Sequence, residues 1–359
     1  MSKTKFKLDP NNESAQGVYD TLMRQSNNFL NNKKLFDIKI NKTDQYTENI
    51  IGNLCISIAN HCKMGKITNL STKHVNWFVQ DMQALGYKDK YIKDAVSRIQ
   101  DFARKIGTKK TLASSREIFK MNGVGKREES KLERQWSDAE YNSMIMQAAK
   151  LGREDVILAF KISDAFGTRL EGTMTLSPKQ IERALLHGEL VVTEKGGKTR
   201  HIKVETNKQK KLLKEIKKIY QAEKLGMNSK IFRDSEYLNE NKKIKNGNSV
   251  EKCMKSVQNF IAKHRDCIQD SDRLPLKDRD GKSVEKPELS FHGLRYRNAQ
   301  ELYVRKRLEG KSIYQTMQLV NEHLGHGKNR WDITKVYLKN IEKQFIDNLD
   351  FYKEKYGYN

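Results

Sequence analysis

The sequence predicts a mainly α-helical protein of two domains with one small antiparallel β-sheet. Three observations lead to this prediction. Apolar residues recur at helical spacing through most of the chain, and two short strand-like segments flank a turn at Gly196-Gly197. A charged, glycine-containing segment of weak periodicity separates the two periodic halves. With 359 residues, the chain is long enough to bury two cores of ordinary size.

The first predicted domain covers residues 12–106, after a tail at 1–11, and is a bundle of about four short helices. Helical stripes of apolar residues and glycine stop signals mark its elements. These stripes run from Ile50 to Cys62, from Val75 to Leu85 before Gly86, and from Ile92 to Ile106 before Gly107. The positions between the stripes are rich in Lys and Arg, which predicts basic helix faces.

Residues 107–134 are predicted to be an interdomain linker, since they combine high charge with little apolar periodicity. The second domain then covers residues 135–345, followed by a tail at 346–359. Ser137 and Glu140 have the spacing of a capping box, which indicates a helix start. Residues 189–204 form the strand pair, helices are predicted at 208–224 and 250–263, and residues 265–289 are expected to be an exposed insertion.

The charge balance predicts a polyanionic partner. The chain has 69 Lys and Arg against 45 Asp and Glu, a formal net charge of +24, and nucleic acid is the commonest partner for such a surplus. The candidate DNA-contacting residues are Arg98, Arg104, Lys105, Lys198 and Arg200. No apolar run is long enough to span a membrane and no secretion signal is present, so a cytoplasmic protein without membrane contact is expected. The four scattered cysteines do not suggest disulfides.

Six residues in the second domain together have the chemistry for a metal-free phosphoryl transfer, with no cofactor. They are Arg169, Lys195, His292, Arg295, His326 and Tyr337. Arginine offers a rigid fork of donors that matches phosphate oxygens, and a tyrosine can attack a phosphodiester and hold it covalently. Each residue alone also has an ordinary explanation, such as a surface arginine, a helix-capping histidine or a packed tyrosine.

The order of these residues resembles the tyrosine recombinase, or phage integrase, family. The motifs are an Arg in GTRLEG, a Lys at a Gly-Gly hairpin, HGLR, LGH and TKVY. The resemblance covers roughly residues 136–345 for a catalytic domain of α+β type. Residues 12–106 resemble, more weakly, the family's helical core-binding domain, a clamp around DNA.

The resemblance implies a role for each of the six residues. Arg169 and Arg295 would hold the nonbridging oxygens of the scissile phosphate, and Tyr337 would attack the phosphorus. Lys195 would protonate the leaving 5′-oxygen. His292 would act as the base near Tyr337, and His326 would hydrogen-bond the phosphate. The family's mode of action further implies double-stranded recombination sites as partners, a homo-tetramer on two duplexes, and a monomer or dimer off DNA.

The sequence departs from the family pattern in two places. Tyr337 lies eleven positions after His326, two more than is usual, although Thr334 keeps its place three residues before the tyrosine. The family often has an acidic residue three positions after the first arginine, where this chain has Gly172, with Glu171 one position earlier. Lys198 is the rival of Lys195 for the role of general acid, because both flank the same turn.

Three functions remain open at this point. The leading hypothesis is a site-specific recombinase that cuts and rejoins DNA through a 3′-phosphotyrosyl intermediate, for integration, excision or transposition of a mobile element. The second is a type IB topoisomerase-like enzyme that relaxes DNA. The third is a catalytically silent DNA-binding accessory protein of the same fold. The tail after Tyr337 is expected either to dock on a neighbouring subunit or to pack on its own domain.

Overall fold

The computed structural model describes residues 6–30, 42–125, 134–194, 197–233, 249–268, 289–327 and 330–358. The chain divides into two compact units, Met1–Glu128 and Glu129–Asn359. No helix in the described ranges is both long enough and apolar enough to cross a membrane.

The first unit consists of helices. They are α1 (Ala15–Leu30), α2 (Lys42–His61), a 3₁₀ turn (Ile67–Asn69), α3 (Thr72–Ala84), α4 (Asp89–Ile106) and α5 (Ser115–Met121). The three predicted stripes bury their apolar sides in one core, with Leu54, Phe78 and Ile99 almost completely enclosed. Helix α4 ends at Gly107 with φ 64°, a left-handed conformation that favours glycine.

Helix α5 lies inside the segment predicted as a linker. Ser114 caps the helix, since its hydroxyl accepts from the Glu117 backbone N–H at 3.3 Å. Ile118 is fully buried in the first core. A single apolar turn in a charged segment gives too little periodicity to predict a helix. For this reason α5 could not be predicted from the sequence.

The second unit is also mainly helical. Its helices are α6 (Asp138–Lys150), α7 (Glu154–Phe166), α8 (Leu170–Met174), α9 (Pro178–His187), α10 (Asn207–Ala222), α11 (Ser249–Ile268), α12 (His292–Leu308), α13 (Ile313–Leu324), α14 (Trp331–Leu338), α15 (Ile341–Asp347) and α16 (Leu349–Tyr356). Strands β1 (Glu189–Glu194) and β2 (Lys198–Lys203) pair antiparallel, with Glu194 opposite Lys198. The predicted class, mainly α with a small antiparallel sheet, is confirmed.

The main core of this unit forms around α7, which is buried along most of its length. The predicted capping box at Ser137 and Glu140 is present at the start of α6. Just before it, the fully buried Trp136 donates through Nε1 to the Ser290 carbonyl at 2.9 Å. This bond fixes the segment that leads into α12, the helix that carries two of the candidate catalytic residues.

The C-terminal tail packs on its own unit. Lys355 on α16 donates to Asp138 at the start of α6 at 2.9 Å, and Tyr352 and Tyr356 pack against the cluster that contains Tyr337. Docking of the tail on a neighbouring subunit stays a prediction. Much of the predicted insertion at 265–289 lies outside the described residues, which stop at 268 and resume at 289.

Candidate active site

The turn between α7 and α8 positions Arg169. Helix α7 ends at Gly167 with φ 58°, and Arg169 is the residue immediately before α8. A Cβ at Gly167 would lie 2.5 Å from Oδ1 of Asn298 on α12, so only glycine allows α7 to end this close to α12. The tight reversal brings Arg169 to β1, where its side chain pairs with Glu194.

Helix α12 carries His292 in its first turn and Arg295 one turn further. Arg295 is fully buried, and its guanidinium donates to the Gly167 and Leu324 carbonyls and, at 3.3 Å, to Oε1 of Glu194. These partners hold the guanidinium between the ends of α7, α13 and β1. Its Nε is buried without a partner among the described residues. A buried donor of this kind is costly unless a ligand satisfies it.

His326 follows the end of α13, where Gly325 has φ 65°. The Thr334 hydroxyl donates to Asn321 at 2.8 Å, so its oxygen accepts from His326 Nδ1 at 3.2 Å. This bond sets the orientation of the imidazole and gives the threonine of the TKVY motif a structural role. The other ring nitrogen, Nε2, is buried and has no partner within the described part of the chain.

Tyr337 lies on α14 and faces the same site. Its phenolic oxygen is 2.9 Å from Nε2 of His292, and its ring centroid is 5.8 Å from the guanidinium carbon of Arg295. Tyr296 stacks on the ring at a centroid distance of 4.3 Å, and the His326 ring is 5.0 Å away. The ring of Tyr337 therefore packs in a buried apolar cluster, while its hydroxyl contacts the imidazole of His292.

Burial and the neighbouring arginines keep both histidines neutral. Burial, Arg295 and Arg169 lower the pKa of His292 to about 4, and the same three causes lower the pKa of His326 to about 3. A neutral His292 can accept the proton of the Tyr337 hydroxyl across the 2.9 Å contact. This is the arrangement of a nucleophile with its general base.

Lys195, the sixth predicted catalytic residue, lies outside the described residues, as does Gly196. Its rival Lys198 is the first residue of β2 and is exposed. Both remain candidates. Glu194, the last residue of β1, contacts Arg169.

Two residues of the site have roles that were not predicted from the sequence. Glu194 was not predicted at all, and Arg200 was expected to contact DNA. Arg200 is in fact buried, with its side chain 4% exposed. It donates to Glu194 at 3.0 Å and to the Gly167 and His323 carbonyls. Arg200 therefore links the ends of α7 and α13 within the unit. The prediction that it contacts DNA does not fit this buried position.

The basic residues predicted on the first unit differ in accessibility. Arg98 on α4 is partly buried, donates to Thr47 at 2.9 Å and lies over the Tyr46 ring. Arg104 and Lys105 are exposed in the last turn of the same helix, and Arg104 pairs with Asp101. Arg104 and Lys105 are thus accessible to a phosphate backbone, whereas Arg98 is mainly engaged within the unit.

Taken together, five of the six predicted catalytic residues form one connected site, and the sixth is undescribed. Its parts are two guanidiniums, two neutral imidazoles and a phenol in contact with one imidazole. Within the described ranges, no group of three His, Cys, Asp or Glu residues could hold a metal ion. The buried, unpartnered nitrogens of Arg295 and His326 give the site donor and acceptor capacity for a ligand.

Comparisons with known proteins establish the fold. The chain superimposes on a XerH site-specific recombinase bound to palindromic difH substrate in a post-cleavage complex, with a TM-score of 0.56, 14% identity, and coverage of 98% of this chain and 100% of that chain. A lambda integrase dimer bound to a COC′ core site gives a TM-score of 0.54 at 16% identity, covering 86% and 94%. The Tn1549 transposon integrase with circular intermediate DNA gives 0.52 at 11%, covering 87% and 94%.

No family model and no curated protein matches the sequence. The structural likeness nevertheless covers nearly the whole chain. Since all three solved structures share one fold, this chain has the tyrosine recombinase fold.

Proposed function

We propose that this chain, which has the tyrosine recombinase fold, is a site-specific DNA recombinase that cuts and rejoins strands through Tyr337. The observation that carries the proposal is the contact of the Tyr337 hydroxyl with the neutral His292 imidazole at 2.9 Å, beside the Arg295 guanidinium. The hydroxyl therefore has a proton acceptor in direct contact, and a cation lies beside the ring. A tyrosine nucleophile needs such an acceptor to activate its hydroxyl.

In the proposed first step, the Tyr337 oxygen attacks the scissile phosphorus while Nε2 of His292 takes the phenolic proton. A bond forms between the phenolic oxygen and phosphorus, and the bond from phosphorus to the 5′-oxygen breaks. Lys195 gives a proton to that leaving oxygen. The products are a 3′-phosphotyrosyl ester and a free 5′-hydroxyl, and the reverse reaction with a new 5′-hydroxyl rejoins the strand.

Arg169 and Arg295 are proposed to stabilise the negative charge that develops on the nonbridging oxygens. Preorganised donors are most effective in such a site because they do not need to reorient as the charge develops. The three protein contacts of Arg295 support this role, since they fix its plane before DNA binds.

His326 contributes in a different way. Because its Nδ1–H is directed to Thr334, Nε2 can donate to a phosphate oxygen only when the ring is protonated. The negative phosphate favours that protonation and opposes the effect of the arginines.

The proposed partner is double-stranded DNA with paired recombination sites, bound by a tetramer. The surplus of positive charge, +24 over the whole chain, supports a polyanionic partner, and the exposed Arg104 and Lys105 on α4 are proposed to contact its phosphates. Integration, excision or transposition of a mobile element in the cytoplasm is the proposed biological setting.

A suicide substrate tests this function. A duplex that carries the recombination site, taken from the DNA that flanks the gene, is nicked so that the cleaved end is lost and religation is prevented. The wild-type protein should then accumulate a covalent adduct that is visible on a denaturing gel. Tyr337→Phe should bind the same duplex within about threefold of wild type and form no adduct, since only the nucleophilic oxygen is removed.

Tyr314→Phe is the matched control, because Tyr314 is 65% exposed and has no place in the site. Its adduct yield should equal that of wild type. A wild-type protein that binds the nicked duplex without any adduct would indicate a silent DNA-binding protein and refute the proposal.

A further inference from the structure

The carboxylate of Glu194 is the only acidic group that the structure brings into contact with the arginines of the site, within the described residues. Its side chain is 3% exposed. Oε1 accepts from the Arg169 backbone N–H at 3.1 Å, from Arg200 at 3.0 Å and from Arg295 at 3.3 Å, and Oε2 accepts from the Arg169 guanidinium. Oε1 thus accepts three donors and Oε2 one, so a single carboxylate joins all three arginines.

This carboxylate is held in its charged form. Burial acts to raise the pKa of Glu194, but the attraction of Arg200, Arg295 and Arg169 outweighs it and lowers the pKa. Without the negative charge, the buried guanidiniums of Arg200 and Arg295 would keep only carbonyl partners, and the partly exposed Arg169 would lose its ion pair. Like charges that lie close together repel one another in a protein interior.

Glu194 also explains why position 172 is a glycine in this chain, where the family often has an acidic residue. A Cβ on Gly172 would lie 3.2 Å from Cγ of Glu194, 3.6 Å from the Thr193 carbonyl and 3.7 Å from Oε1 of Glu194. The glycine on α8 therefore leaves room for the end of β1. An acidic side chain at position 172 and the one at 194 would compete for the same space.

We infer that Glu194 is the positioning residue of the arginine pair, and that the chain supplies from the end of β1 the carboxylate that position 172 lacks. Glu194 aligns Arg169 with Arg295 through direct hydrogen bonds. Through Arg200 it is also tied to the ends of α7 and α13, from which Arg169 and His326 follow. This inference rests on the proposed recombinase chemistry for its effect on rate.

The first test compares adduct formation at saturating protein on the suicide duplex. Glu194→Gln keeps the size but loses the charge, so the cleavage rate constant should fall at least ~10-fold, as expected for misaligned transition-state donors. Glu189→Gln, at the other end of the same strand, is the matched control and should stay within about twofold of wild type. A wild-type rate in Glu194→Gln would overturn the inference.

The second test relocates the charge. Glu194→Ala should be at least as slow as Glu194→Gln, and the double variant Glu194→Ala with Gly172→Glu should recover at least ~10-fold of that loss. The new side chain begins 3.7 Å from the present Oε1 position, within the reach of a glutamate. A purely structural effect of truncating Glu194 would not be rescued in this way, and a failure to rescue would contradict the inference.

The third test does not depend on DNA cleavage. Inorganic sulfate is titrated against the thermal unfolding of wild type, Glu194→Gln and Glu189→Gln. If the carboxylate aligns Arg169 and Arg295 on one oxyanion, Glu194→Gln should bind sulfate several-fold more weakly than wild type, although the arginine site gains one unit of positive charge, and Glu189→Gln should bind it as wild type does. Equal or tighter sulfate binding in Glu194→Gln would show that the carboxylate only balances charge and would overturn the inference, even if wild type forms no adduct and the proposed function itself fails.

Discussion

The cores of the two units bury different kinds of residue. Among the described residues of the first unit, the buried positions are apolar except for Ser26 and Ser57. The second unit also buries ionisable side chains, among them Asp164, Glu194 and Arg295. Burying charge is expensive and adds little net stability compared with apolar packing. The difference teaches that the core of the first unit is packed for stability alone, whereas the core of the second accepts a cost in stability to hold the ionisable groups of the candidate site.

The largest effect that follows from this comparison concerns Arg295→Lys. An ammonium cannot reproduce the planar fork that reaches Gly167, Leu324 and Glu194 at once. We expect the rate of adduct formation to fall at least ~100-fold, on the scale of losing one preorganised donor to a developing anion. Rapid-quench sampling of the suicide reaction measures this rate.

Arg305→Lys, the same exchange in the last turn of the same helix, is the control and should be close to wild type. Circular dichroism checks that Arg295→Lys remains folded. Near-normal cleavage by Arg295→Lys would show that the buried guanidinium of Arg295 is not required for catalysis.

An intermediate effect is expected for an apolar residue of the first core. Leu54 is fully buried on α2, and truncation of such a leucine removes both transfer free energy and packing. Leu54→Ala should lower the free energy of unfolding by about 3 kcal/mol, as measured by urea denaturation. Cleavage by the folded fraction at saturating protein should not change.

The control is Leu186→Ala in the second unit, where the leucine is 78% exposed. This variant should shift the free energy of unfolding by less than about 0.5 kcal/mol. If Leu54→Ala instead altered the cleavage rate of the folded protein strongly, the functional separation of the two cores would be wrong.

The smallest effect is a dependence of stability on pH in the second unit. The folded pKa of His292 is lowered to about 4, below the value near 6.5 in an unfolded chain. The unfolded state therefore binds the proton first, so the stability contributed by the neutral ring is present above pH 6.5 and is lost as the pH falls toward 4. Between pH 7 and pH 5 this histidine alone should cost about 2 kcal/mol.

Hydrogen exchange at the two pH values measures this effect unit by unit. Helix α12 should lose protection at pH 5 more than α2 of the first core does. His292→Gln should reduce the loss by about a third, since the pKa values of His326 and His323 are also lowered and both act in the same direction. Equal acid sensitivity of α12 and α2 would contradict the difference between the cores.

The sequence predicted the elements that depend on local pattern. The helical stripes, the Ser137 capping box and the paired strands follow from spacing between near neighbours. The motif order also selected five residues of the second domain that the structure brings together. They are Arg169, His292, Arg295, His326 and Tyr337. These predictions needed only the type and order of residues.

The roles of Glu194 and Arg200 in the site could not be predicted in this way. Glu194 contacts Arg295, which is 101 positions away, and nothing in the alternating pattern of β1 distinguishes it from a solvated strand end. Arg200 alternates with exposed neighbours on β2, so its burial depends on the carbonyls that α7 and α13 present to it. The only signal was the departure at Gly172, where the family often has an acidic residue, and that departure does not indicate which residue supplies the carboxylate.

The central claim is that a phosphodiester is held at Tyr337, and mapping the covalent adduct tests it most directly. The adduct formed on the nicked duplex is digested with nuclease and protease, and the modified peptide is sequenced by mass spectrometry. The account predicts a nucleotide attached by a 3′-phosphate to the phenolic oxygen of Tyr337, with no other residue modified. Attachment at another tyrosine, or at a serine, would contradict it.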